Sequence, residues 1–394
     1  MVAALGYFVD IFDLALFGIV RVTSLKDIGL PDEELLSVGV TLLNAQMLGL
    51  LLGGIIWGVL GDKIGRIKVL FGSILLYSLA NLANAFVQTA SAYAALRAIA
   101  GIGLAGELGA AITLVSESLS RDKRGYGTAI VAGVGLSGAV AAGVLAEFVS
   151  WRTTYVVGGV LGFLLLFLRL SISESSLFTK IKNAPSLNRG NIFFIFSSRE
   201  RLLKYVCCIL IAVPIWYCAG ILMTFAPELG AALSTTQALS AGRAILFSYV
   251  GVAVGDVLSG LISQWVKSRK KVVAGSLLIE AGLVALTLTQ RGISPATFYF
   301  FSFLLGLATG YWAVFVTLTS EQFGTNLRST VTTSIPNLVR ASVVPMTLTL
   351  TALRNHWSFL PSITFIGATV FVIAGIALYF LDETFARDLD FLEN

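Results

Sequence analysis

Four side chains in apolar surroundings pose the first chemical question. Asp10 and Asp13 lie in VDIFDLALFG (Val9–Gly18), and Arg97 and Glu107 lie in RAIAGIGLAGELG (Arg97–Gly109). A carboxylate inside an apolar run can take up and release a proton, and an intramembrane acid marks an ion or proton pathway by default. An arginine there needs a partner, because an unpaired buried guanidinium is very costly. Arg97 is ten residues from Glu107, about 15 Å along a helix and too far to pair with it directly. Asp10 and Asp13 are three apart, so they share a helix face. The expected arrangement has Arg97 held by Asp13, with Asp10 facing a cavity. The alternative is a purely structural network between helices. Glu107 is the leading candidate for proton coupling, with helix packing as its other possible role. The single histidine, His356, falls in a short loop, so a proton carrier within the apolar runs has to be a carboxylate.

Such residues require an apolar frame, and the composition supplies one. Of 394 residues, 56 % are hydrophobic and only 12 % charged, with a mean hydropathy of +0.87. Soluble domains carry about 25 % charge, so this chain is expected in a bilayer. A helix crosses the hydrocarbon in about 20 apolar residues. Twelve such runs can be read, at roughly 3–21, 37–60, 68–88, 91–118, 125–149, 152–170, 203–225, 240–265, 271–290, 295–319, 329–353 and 359–381. Sixteen lysines and arginines fall between runs 2–3, 4–5, 6–7 and 8–9, against five on the opposite side: Arg21, Lys26, Arg152, Arg291 and Arg354. By the positive-inside rule both termini are expected in the cytoplasm. The net charge of +5 is therefore an orientation signal and a contact for lipid headgroups, not a nucleic-acid footprint. Cys207, Cys208 and Cys218 share one apolar segment and read as buried small hydrophobes. No metal or cofactor pattern is present in the sequence. Short loops and the absence of glycosylation sequons suit a bacterial inner membrane.

The chain also repeats itself. SESLSRDKRGYGTA (Ser116–Ala129) and SEQFGTNLRSTVTT (Ser320–Thr333) both read Ser-Glu, then Arg seven residues after the Glu. GRIKVL (Gly65–Leu70) pairs with SRKKVV (Ser268–Val273), and Ser173-Glu174-Ser175 with Asp382-Glu383-Thr384. The expected organisation is a six-helix bundle at 1–170, a cytoplasmic linker at 171–202 and a second six-helix bundle with a short tail at 203–394. Parallel repeats of this kind place a binding site between the halves, near mid-membrane.

GVLGDKIGRIKVL (Gly58–Leu70) resembles the loop 2–3 signature of the major facilitator superfamily. The Arg97–Gly109 stretch, followed by Glu117 and Arg124-Gly125, and the Asp10–Gly18 stretch are similar to its metabolite:proton symporter group. The resemblance implies an all-α membrane protein of twelve transmembrane helices in two pseudo-symmetric bundles, working as a monomer. It further implies that Asp62, Gly65, Arg66, Glu117, Arg124, Glu321 and Arg328 form the cytoplasmic gating latch. Leu50 and Leu51 stand where the group usually has Arg-Pro, which argues against a multiply charged anion as substrate.

Candidate substrate contacts come from the second half. Trp216 and Tyr217 flank the break that Pro214 imposes on span seven. Tyr311 and Trp312 lie in span ten, and Asn337 and Arg340 in span eleven. A cavity-facing Arg340 suits a carboxylate. Its alternative role is an ion pair with Asp256 or Glu280. In span five, Gly133, Gly135, Gly138 and Gly143 are expected to form a close-packing face. No nucleophile motif or metalloprotease motif occurs, so an enzyme is not expected. The expected function is proton-coupled import of a small organic solute, a carboxylate or zwitterion, by alternating access. A proton-antiporting exporter and a transporter-like solute sensor are the alternatives.

Overall fold

The computed structural model describes residues 2–64, 66–107, 121–169 and 193–385; at 2–3, 58–59, 61–64, 66–67, 121–132, 193–194, 325–326 and 328–329 it describes the backbone alone. The chain lacks water-facing polarity over most of its length, so each backbone N–H and C=O within the bilayer has to be satisfied internally, and helices result. Six rods form first: α1 (Val2–Asp27), α2 (Leu35–Ile64), α3 (Arg66–Asn84), α4 (Ala90–Leu104), α5 (Arg121–Phe148) and α6 (Trp151–Arg169). A short α7 (Phe193–Phe196) follows. The seventh rod is broken into α8 (Arg199–Leu210), α9 (Val213–Trp216), a π-helical stretch Tyr217–Met223, and α10 (Ala226–Ala232). Next come α11 (Ala241–Val266) and α12 (Arg269–Thr289). The tenth rod is α13 (Pro295–Thr309) with α14 (Trp312–Gln322), the eleventh is α15 (Thr325–Ala341) with α16 (Val343–Leu353), and the twelfth is α17 (Phe359–Phe380). The described helices thus fall into the twelve rods expected from the sequence. α7 and the start of α8 fall within the segment 171–202 expected as a linker.

Among the described residues, seven helical segments, from Leu35–Trp57 to Phe359–Phe380, are long and apolar enough by themselves to cross a membrane. Large apolar side chains face outward, among them Phe167 (66 % exposed), Leu278 (75 %) and Tyr379 (79 %). The interior holds Asp10, Asp13, Arg97 and Arg340, each at most 1 % exposed. This polarity is the reverse of that in a water-soluble domain and suits a lipid surround.

The rods have two ends. One carries the short connections at 28–34, 85–89, 149–150, 233–240, 290–294 and 354–358, and is called here the short-turn end. The other, called the linker end, carries the turns at 267–268 and 323–324. Local chemistry starts several helices at the short-turn end. Thr89, Ser240 and Ser294 each accept a hydrogen bond from the backbone N–H three residues on, satisfying a donor the helix leaves open. At the linker end, Lys267 adopts a left-handed φ of 53° between α11 and α12, and Ser268 caps α12.

Close backbone approach determines which rods pair. α1 packs on α5, α2 on α4, and α11 on α13. Gly138 of α5 lies against the Phe8 carbonyl of α1, and Gly306 of α13 lies against the backbone of Ser248 in α11. A side chain at either position would drive into backbone, which has no rotamer to yield. Gly135 and Gly143 also pack closely, against Tyr7 and Leu246, whereas Gly133 faces open space. Between the first six and last six rods, α5 packs on α11 and α2 on α15 and α16.

Gly306→Val is expected to cost more than the roughly 1–3 kcal/mol of ordinary overpacking and to abolish recovery of monodisperse protein in size-exclusion chromatography. Gly260→Val in α11 has open space around it and is expected to elute like the native chain.

Candidate functional site

Two pairs of charges lie within the first six rods. Arg97 of α4 reaches Asp13 of α1 at 3.3 Å and the Asn81 side-chain oxygen of α3 at 3.2 Å. Its guanidinium lies 5.5 Å from the Tyr155 ring centroid. Glu107 receives both terminal nitrogens of Arg169, at the end of α6, one of them at 3.1 Å. Gly6 makes room for this pair, since a Cβ there would collide with both partners. Glu107, the leading sequence candidate for proton coupling, thus has a buried cation as its partner. Arg169 is the last residue of α6 and carries no signal in the sequence that links it to Glu107.

The third pair crosses between the two sets of rods. Arg340 of α15 meets Asp10 of α1 at 3.4 Å, and both are buried. Neither Asp256 nor Glu280 is its partner. Asp256 accepts from the Ala313 N–H at 3.1 Å and so caps α14 where the tenth rod breaks. Glu280 accepts from the Cys218 thiol at 3.2 Å, which gives that cysteine a polar contact beyond apolar filling. The Asp10–Arg340 pair leaves donors and acceptors over. Asp10 Oδ1 and Arg340 Nε and Nη1 have no hydrogen-bond partner among the described residues. Buried polar atoms ordinarily are paired, so this pair has capacity for a further ligand.

The other expected contacts distribute unevenly. Asn337, one turn from Arg340, donates to the Ala105 carbonyl across the interface at 3.3 Å and faces Gly54. Trp216 is buried, and Trp312 is half-buried against Phe315. Tyr217 donates to the Ile363 carbonyl at 2.8 Å, and Tyr311 to the Ile211 carbonyl at 2.9 Å. Their hydroxyls are thus engaged within the last six rods and do not reach Arg340. Pro214 follows the break at Ile211–Ala212, as its lost N–H requires.

The short-turn end is held shut by a residue read from sequence as a loop charge. Arg21 is fully buried at the end of α1. It donates to the Leu35 carbonyl (3.1 Å), the Thr224 carbonyl (3.3 Å) and Glu228 of α10 (2.7 Å), and lies 4.7 Å from the Phe225 ring centroid. Nearer the outside, Arg243 of α11 binds Glu147 of α5 through two hydrogen bonds, at 2.9 and 2.8 Å. Thr347 donates to the Asn44 side chain at 2.6 Å, again across the two sets.

At the linker end, Gly65 and Glu117 lie outside the described residues, and the side chains of Asp62, Arg66, Arg124 and Arg328 are likewise not described. Glu321 is described. It accepts from the Thr384 hydroxyl at 2.6 Å and lies 3.7 Å from Arg269. Glu383, beyond the end of α17, accepts from the Ser268 hydroxyl and from the backbone N–H groups of Arg269 (2.9 Å) and Lys270 (3.2 Å), at the start of α12. Partial burial pushes its carboxyl up, but these hydrogen bonds and that from Phe385 outweigh it and hold the group below the usual glutamate range.

A sequence profile described as Major Facilitator Superfamily matches residues 3–341 of the chain. The putative niacin/nicotinamide transporter NiaP of Bacillus subtilis (strain 168) is 32 % identical over 178 residues, 44 % of this chain and 44 % of that protein. The chain therefore aligns with less than half the length of that relative. The 3-(3-hydroxy-phenyl)propionate transporter of Escherichia coli (strain K12) is 28 % identical over 73 % of this chain and 70 % of that protein. Among solved structures, a D-xylose-proton symporter superposes with a TM-score of 0.73 over 97 % of both chains at 17 % identity, a likeness of fold.

Two outcomes follow from this geometry. Arg21→Gln removes the bonds that close the short-turn end, so deuterium uptake in 14–27 and 224–232 is expected to rise several-fold while α17 stays unchanged. Equal uptake would show that Arg21 does not hold the closure. Glu383 is depressed in the folded state, so its stabilisation is present above the ordinary glutamate pKa and lost as pH falls through the depressed value. The gap in thermal stability between the native chain and Glu383→Gln is expected to narrow from about pH 6 to about pH 3.

Proposed function

The chain belongs to the major facilitator superfamily, and from that premise we propose that it imports a small organic carboxylate or zwitterion together with protons, by alternating access. The observation that supports this reading is the Asp10–Arg340 pair. It is buried, it bridges the first and last six rods, and its partners retain unused hydrogen-bonding capacity.

The chemistry proceeds by charge balance. With Asp10 ionised, the pair is neutral. A solute carboxylate that reached Arg340 would place two anions on one guanidinium and leave one negative charge uncompensated. In an apolar interior that excess costs several kcal/mol. Protonating Asp10 removes it. Solute carboxylate and proton therefore enter the site together, and each relieves the penalty the other would create. Arginine suits the task because its planar fork takes a carboxylate through two parallel hydrogen bonds. Asn337 lies one helical turn away on the same rod, and its side-chain oxygen, without a partner among the described residues, can accept from solute donors. Glu107 is a weaker proton carrier than Asp10, since Arg169 occupies both its oxygens. The Asp13–Arg97–Asn81 network holds α1, α3 and α4 in register beneath the site.

Alternation then uses the contacts between the sets. Arg21–Glu228 and Arg243–Glu147 close the short-turn end, which the positive-inside bias places outside the cell. Breaking them opens the site outward. Closing them, with Asp10 protonated and solute on Arg340, commits both to the opposite side. The relative named for hydroxyphenylpropionate carries a carboxylate substrate in its name, which agrees with this choice of substrate class.

Proteoliposomes loaded with a pH dye test the reading directly. Pools of monocarboxylates, zwitterions, sugars and polyols are added outside. Lumenal acidification with one pool is expected, and Asp10→Asn is expected to abolish it while counterflow exchange of the same solute persists. Normal acidification by Asp10→Asn would remove Asp10 from the coupling. Alkalinisation would mean antiport, and hence export.

A further inference from the structure

A crevice of about 930 Å³ opens on the outer wall of the protein at the short-turn end. Val144 and Phe148 of α5, Leu246 and Phe247 of α11, and Phe300 and Phe303 of α13 line it. Several of these side chains stand out from the protein, with Phe148 82 % and Phe300 58 % exposed. Phe247 stacks on Tyr299, with ring centroids 5.8 Å apart. Glu147 and Arg243 also border the crevice, paired with one another and both partly exposed (36 % and 55 %).

We propose that this crevice is a binding site for a membrane phospholipid whose headgroup joins a phosphate to a primary ammonium, as in phosphatidylethanolamine. The apolar walls face the bilayer, where acyl chains are the molecules available to fill them. The charges at the border select the headgroup. Arg243 presents an N–H fork suited to a phosphate, and Glu147 presents a carboxylate suited to an N–H donor. A net-neutral border of this kind favours a zwitterion over an anionic lipid. A primary ammonium donates hydrogen bonds to Glu147, which a quaternary choline lacks the N–H groups to do. Because the Glu147–Arg243 pair is already formed and exposed, a headgroup gains by extending it into a four-charge network.

The crevice is also specific to one state. Its α5 wall belongs to the first six rods and its α11 and α13 walls to the last six. It exists only while the two sets meet at this end. A lipid that fits it binds the closed form better than the open one, and shifts the equilibrium toward closure by that difference in affinity.

Native mass spectrometry of the purified full chain tests the proposal, with equimolar phosphatidylethanolamine, phosphatidylcholine and phosphatidylglycerol supplied in detergent. The ethanolamine lipid is expected to exceed each of the others by roughly fivefold, the yield of one partly exposed charge contact. Glu147→Gln is expected to erase the preference over choline, and Arg243→Gln to erase retention of all three. Both positions are exposed enough for the variants to fold. As a second readout, ethanolamine lipid is expected to lower deuterium uptake in 144–148 and 243–250 relative to choline lipid. Equal occupancy by the three lipids, or a preference unaltered by both substitutions, would mean ordinary annular lipid and overturn the proposal. Preferred binding of the glycerol lipid would make Arg243 a simple anion seat and overturn the headgroup assignment.

Discussion

A charge placed in hydrocarbon has to find its opposite, and that requirement organises this molecule. Asp13 with Arg97, Glu107 with Arg169, and Asp10 with Arg340 are ion pairs with side chains at most 5 % exposed. Breaking such a pair by removing one partner costs about 3–5 kcal/mol, comparable to the whole stability margin of many proteins. The first two pairs tie helices within one set of rods and have little reason to change. The third spans the two sets. Moving the sets apart must separate these charges or neutralise one of them, and in the proposed function this requirement is what links motion to protonation and ligand binding.

The scaffold around the pairs combines rigid and yielding parts. Glycines let α1, α5, α2, α4, α11 and α13 approach backbone to backbone, which fixes the pairs in register to within a fraction of a helical turn. The seventh, tenth and eleventh rods are interrupted instead. A π-helical stretch follows Pro214, the Asp256 carboxylate caps the restart of the tenth rod, and Ser342 marks the joint in the eleventh. These three rods belong to the last six. These joints thus lie in the half that carries Arg340, and the fourth rod of the other half turns at Ala105–Gly106.

Much of this architecture is legible in the residues. Twelve rods follow from run length and charge spacing, because the bilayer tolerates little else. The Asp13–Arg97 contact follows from two acids three residues apart and an arginine that needs one of them. Other features have no local signature. Asp10 and Arg340 are 330 residues apart, and the spacing in one sequence does not link them. Arg169 and Arg21 stand at the ends of apolar runs, where arginines usually reach for water. Only the packing of α1 on neighbouring rods shows that both are enclosed. The tyrosines of spans seven and ten look like ligand contacts by type, yet Tyr311 satisfies the Ile211 carbonyl at the break in rod seven and Tyr217 the Ile363 carbonyl of rod twelve. A broken helix creates its own demand for donors, and residue type alone cannot distinguish that demand from a substrate's.

The sequence distances of the bridging pairs also bear on how the protein is made. Asp13–Arg97 and Glu107–Arg169 join residues 84 and 62 positions apart, so both can form once the first six helices have emerged from the ribosome. Asp10, Arg21 and Glu147 wait longer. Their partners lie 330, 207 and 96 positions downstream, in helices synthesised after the long connection. During biogenesis the first half therefore stands in the membrane with two acids and a guanidinium still without these partners, and it is completed in stages. Glu228 and Arg243 arrive from the seventh and eighth rods, and Arg340 only from the eleventh. A ribosome stalled, or a chain truncated, before that rod would leave a half-built protein marked by an orphan carboxylate at its centre, a signal that membrane quality control could read.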